Sequence, residues 1–127
     1  MIDRDAASYD AVLAAFKLPH GDSRETSARD AAVQSAMKGA AEVPFEVAER
    51  TIALLERVGQ LNSIAAASMK SDLEVARWMA VAGARGAIAN VETNLDGITD
   101  SRYVAQMRGK VSQLRERLER ALHAPAA

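Results

Sequence analysis

Asp5 shares a helical stripe with Tyr9, Val12 and Phe16, spaced four, three and four residues apart. A carboxyl at the edge of an apolar face either finds a partner or is driven toward the raised pKa of a general acid. It can equally be a solvated flank residue. Gln34, Lys38 and Glu42 recur at four-residue spacing, which aligns an amide, an ammonium and a carboxylate on one helix face. The simplest reading of that face is an exposed Lys38–Glu42 pair. Further along, Asp72, Ala76, Gly83, Ala87, Asn90 and Asn94 fall within roughly 60° of one another on a helical projection. Small residues on such a stripe admit another helix or a flat ligand close to the backbone, and two amides on it can donate and accept. A packing ridge with amides capping a neighbouring turn is the plainer alternative. Asp72 and Asn90 stand about 27 Å apart along the axis, so they do not serve one small reaction centre.

Other chemistries are poorly supported. His20 and His123 are the only histidines, one in a turn and one near the C-terminus, and neither has a ligand partner at helical spacing. No metal site is therefore expected, and no Ser-His-Asp arrangement. The glycines are scattered, so no phosphate-cradling loop forms. Arg102, Arg108, Lys110, Arg115, Arg117 and Arg120 load the last helix with cations, but Glu116 and Glu119 interleave and no aromatics stand ready to stack on bases. A solvated face, or one packed on an acidic neighbour, is the better reading, and the net charge of −1 argues against a nucleic-acid partner.

These groups need helices to hold them, and the pattern is helical throughout. We expect an all-α protein of about five helices in an up-and-down bundle, forming a single domain over residues 1–127. The first helix runs from Met1 to about Leu18 with Ile2, Ala6, Tyr9, Leu13 and Phe16 on a buried face, and "PHGDS" ends it. The second opens on Asp22-x-x-Glu25 and closes near Ala41. Pro44 then sits in the first turn of a third helix, which Gly59 and Asn62 interrupt or kink. "SDLE" at residues 71–74 reads as a capping box for the fourth, which ends where Gly97 takes a left-handed position. The fifth starts near Asp100 and stops before Pro125. The chain has no cysteine and no apolar run long enough for a membrane span, and no signal peptide is expected, since acids follow Met1 immediately. A cytoplasmic protein is expected.

Four blocks in order, "DRDAASYDAVLAAFKLP", "ARDAAVQSAMKGAAEVPFEVAE", "SDLEVA" and "GAIANVETNL", resemble the cyclodeaminase/cyclohydrolase family. That family includes methenyltetrahydrofolate cyclohydrolase and the cyclodeaminase domain of formimidoyltransferase-cyclodeaminase. The resemblance implies an all-helical fold, association as homo-oligomers, a tetrahydrofolate substrate, and chemistry that needs no metal or redox cofactor. Family members usually carry a preceding helical segment with a Pro-Gly-Gly-Gly stretch. The resemblance therefore implies that this chain corresponds to the C-terminal part of such an enzyme. It points to Asp5 as acid or base, Lys38 as contact for a folate carboxylate or developing charge, and Asn90 and Asn94 as partners of the pterin edge. The alternative is a non-catalytic helical oligomerisation module that kept the fold and lost the site.

Overall fold

The computed structural model describes residues 1–123, and the C-terminal limit expected at Pro125 lies outside them. Among the described residues there are four α-helices and no strand: α1 Ile2–Phe16, α2 Ser23–Leu61, α3 Lys70–Leu95 and α4 Ser101–His123, with a 3-10 turn at Ala67–Met69. The all-α expectation holds. The count is one fewer because the second and third expected helices are a single helix of 39 residues, about 58 Å long.

Local chemistry sets several boundaries. Asp22 accepts the Glu25 N–H at 2.7 Å, and the Glu25 carboxylate reaches back to the Gly21 N–H at 2.9 Å, so α2 starts as a capping box shifted by one residue. Asp100 accepts the Tyr103 N–H at 3.1 Å and caps α4. The "SDLE" box does not cap α3. The 3-10 turn runs straight into the helix, and the Met69 and Lys70 N–H groups bond Ala66 and Ala67 carbonyls, which leaves Ser71 already inside the helix. Gly97 is not left-handed, since no glycine has positive φ. A Cβ there would meet the Sδ–Cε end of Met37, a flexible side chain that would have to swing aside.

Packing follows from small residues at the seams. α3 lies antiparallel to α2, with Asn94 beside Ala40 and Gly83 beside Thr51. Fully buried Ala41, Ala48 and Ala84 let the two axes approach, and Ile52, Leu55, Val91 and Leu95 fill the space between. Ala87, on the small-residue stripe of α3, is part of this core, as the packing-ridge alternative has it. α4 runs parallel to α2 and antiparallel to α3, closing the core with Met107, Val111, Leu114 and Leu118. Its arginines are largely matched by neighbouring acids, Arg108 by Asp96, Arg115 by Glu92, Arg117 by Glu56 and Arg120 by Glu116. The reading of a face packed on acidic neighbours is thereby met.

α1 departs from expectation. It crosses α2 antiparallel, pairing Arg4 with Glu46 at 2.5 Å and setting the Arg29 guanidinium over the Phe16 ring. Its inward stripe is Arg4, Ser8, Val12 and Ala15, and of these Ala15 alone is buried. The apolar stripe points outward: Ile2 is 86% exposed, Tyr9 63% and Phe16 47%.

Candidate functional site

The residues with chemistry converge where α2 passes the α3–α4 corner. α2 contributes Gln34, Lys38 and Glu42 from one face; the corner contributes Gly97 to Tyr103. Gln34 clamps the connecting loop, donating to the Gly97 carbonyl at 3.2 Å and accepting the Thr99 N–H at 2.8 Å. Lys38 does not pair with Glu42. Its ammonium meets Asp100 at 2.6 Å and lies 5.1 Å from the centre of the Tyr103 ring. The loop brings the α4 cap carboxylate to Lys38, while Glu42 sits against the Tyr103 hydroxyl instead. That hydroxyl donates to the Lys38 carbonyl at 3.3 Å.

Charge states follow from these contacts. The Lys38 hydrogen bond, and then the Tyr103 backbone N–H, hold the Asp100 carboxyl below its ordinary value. Burial, and then the Glu42 carboxylate, push the Tyr103 phenol above its own. About two turns further along α2 the hydrogen bond from Arg4 is the main influence lowering the Glu46 carboxyl.

Asn94 is half-buried, and its side chain donates to the Ala40 carbonyl at 2.9 Å. Ala40 lies four residues before Pro44, so its carbonyl is the one that proline leaves without a helical donor. This contact lets α2 continue through Pro44, which is buried inside the helix rather than opening a new one. Asn94 therefore meets α2 two residues beyond Lys38. Asn90, one turn back on α3, is exposed, and its side chain makes no hydrogen bond among the described residues.

Asp5 is not half-buried. It is exposed on α1, beside Arg4, and its carboxylate has no hydrogen-bond or ion-pair partner among the described residues. The Arg4–Glu46 contact sets this end of α1 eight residues, about 12 Å, along α2 from Lys38. No group of three or more potential metal-ligating side chains converges among the described residues. His20 and His123 each lie against a main-chain carbonyl of their own segment, Leu18 and Glu119.

Sequence reasoning missed Asp100 and Tyr103 as members of this corner. Asp100 was legible as a helix start, but its approach to a lysine 62 residues away was not.

The fold and corner together define an all-α chain in which a lysine and an amide of the longest helix meet a carboxylate and a phenol of the α3–α4 corner. The chain belongs to the formiminotransferase-cyclodeaminase family, whose model matches residues 1–113. It is 34% identical over 114 residues to formimidoyltransferase-cyclodeaminase of Sus scrofa, covering 90% of this chain and 21% of the relative. The Gallus gallus protein of the same name is 33% identical over 116 residues, 91% of this chain and 21% of the relative. Methenyltetrahydrofolate cyclohydrolase of Methylorubrum extorquens is 35% identical over 109 residues, 84% of this chain and 51% of the relative. The chain thus spans about a fifth of the first two and about half of the third.

Proposed function

We propose that this chain, acting as one domain, takes part in tetrahydrofolate one-carbon chemistry. The reaction is hydrolysis of 5,10-methenyltetrahydrofolate to 10-formyltetrahydrofolate, or cyclodeamination of 5-formimidoyltetrahydrofolate. The observation that carries the proposal is the family match across residues 1–113, which takes in α2, α3 and the start of α4, with every residue of the corner. In hydrolysis, water adds to the methenyl carbon, the bond to N5 breaks and a proton leaves. In cyclodeamination, N10 attacks the formimidoyl carbon and ammonia departs. Both need proton transfer and charge stabilisation at a carbon between two nitrogens, which carboxylates, amides and an ammonium supply.

In this reading Asp5 is the acid or base, Lys38 steadies a folate carboxylate or developing charge, and Asn90 and Asn94 address the pterin edge. Asn90 is the freer amide, because the Asn94 side-chain nitrogen is engaged by Ala40. No helix of the described residues is long and apolar enough to cross a membrane, and a cysteine-free chain suits a cytoplasmic setting. Calorimetric titration with tetrahydrofolate, repeated with Asn90→Ala and Lys38→Ala, tests the site. Saturable binding weakened by both is expected, and binding that neither changes refutes it.

A second reading has an observation of its own. The apolar stripe of α1 and the cluster Leu54, Leu61, Ile64, Val75, Trp78 and Met79 around the α2–α3 junction are exposed. Surfaces of this kind mark association sites. On this reading the chain is a non-catalytic oligomerisation module whose partner is a second copy of itself. Homo-oligomers without tetrahydrofolate binding are its signature; homo-oligomers with binding fit the enzyme.

A further inference from the structure

We propose that Asp100 is an internal stand-in for a ligand carboxylate, occupying Lys38 until an anionic ligand displaces it. The inference builds on the reading of Lys38 as a ligand contact and adds the residue that controls access to it. The Lys38 and Asp100 side chains are 32% and 43% exposed, so a ligand reaches the pair without opening the fold. An ammonium carries three donors. Asp100 takes one, and no second side-chain acceptor engages Lys38 among the described residues. Ion pairs this exposed are weak, so one carboxylate replaces another easily.

Two contacts make the exchange asymmetric. The Tyr103 ring face holds the ammonium in place whichever carboxylate it meets. Asp100, once released, is not stranded: its other oxygen already accepts the Tyr103 N–H at 3.1 Å, at the positive end of α4. The lysine keeps its seat and the aspartate keeps its cap, so only the bond between them is surrendered to the ligand.

Asp100→Asn separates the two roles, because asparagine caps a helix as well as aspartate does but carries no charge. Asp100→Ser is a second variant with the same property. Glutarate serves as a minimal dicarboxylate probe, titrated into the whole chain by calorimetry, with the Lys38 side-chain resonances followed by NMR. We expect Asp100→Asn and Asp100→Ser to bind glutarate about two- to five-fold more tightly than wild type, the range an exposed ion pair is worth, and Lys38→Met to abolish binding. Unchanged or weaker binding by the Asp100 variants, binding that survives Lys38→Met, or no saturable glutarate binding by any variant overturns the proposal. Tetrahydrofolate is titrated in parallel. If glutarate behaves as expected and tetrahydrofolate does not bind, the folate reading fails while the stand-in role of Asp100 holds. If tetrahydrofolate binds but neither Asp100 nor Lys38 matters, the stand-in role fails alone.

Discussion

The side-chain amide of Asn94 donates to the carbonyl of Ala40 at 2.9 Å, across 54 residues of sequence. Pro44 has no N–H to offer that carbonyl, and a proline in a helix interior costs about 3 kcal/mol or more. Asn94 supplies the missing donor from the neighbouring helix, in a half-buried setting where an unmet carbonyl is unfavourable. Asn94→Ala should therefore destabilise the chain by about 1–3 kcal/mol. In a Pro44→Ala background residue 44 regains its N–H, so the same change should cost less. Denaturant unfolding of the two single variants and the double variant measures the coupling, and strict additivity would contradict the compensation.

Acid should weaken the fold through two carboxyls. Glu46 and Asp100 have ordinary values of 4.5 and 3.8, and both are lowered in the folded chain, chiefly by hydrogen bonds from Arg4 and Lys38. A lowered carboxyl contributes stability that is present above its unfolded value and is lost as pH falls through its folded one. Melting temperature should fall below about pH 4.5. The Glu46→Gln and Asp100→Asn variants should each show a shallower acid limb in thermal melts across pH 2 to 6.

Tyr103 offers the opposite sign at high pH. Its phenol is raised above 10.0 by burial first and by Glu42 second. The folded state favours the neutral phenol, so this contribution is present below pH 10 and fades as pH rises through the folded value. A phenolate absorbance titration should show a late phase that Tyr103→Phe removes. Glu42→Gln should bring that phase to lower pH.

Association should depend on α1. Replacing Tyr9 and Leu13 by Ser puts polar groups on the outward stripe without touching Arg4, Ser8 or Ala15, which face α2. Sedimentation velocity should show a shift toward monomer with an unchanged helical circular dichroism signal. A monomeric wild-type chain at micromolar concentration would remove the basis for the α1 contact.

Much of this protein is local, and the sequence by itself determined that part. Helical periodicity, the Asp22 cap and the Asp100 start need only neighbours within one turn, so they are readable along the chain. So was the excess of cations on α4, although three of the acids that match them, Asp96, Glu92 and Glu56, lie in other elements. The order of the four family blocks likewise identified the family, which the match over residues 1–113 bears out. Tertiary structure decided what depends on distant partners. Pro44 reads as a helix start until Asn94 arrives to satisfy Ala40. Lys38 reads as the partner of Glu42 until the α3–α4 corner sets Asp100 beside it. The α1 stripe reads as buried because periodicity reports that a helix has an apolar face, not which face meets α2. In each case the deciding group lies in another element of the chain, and only packing brings it within a hydrogen bond or a van der Waals contact.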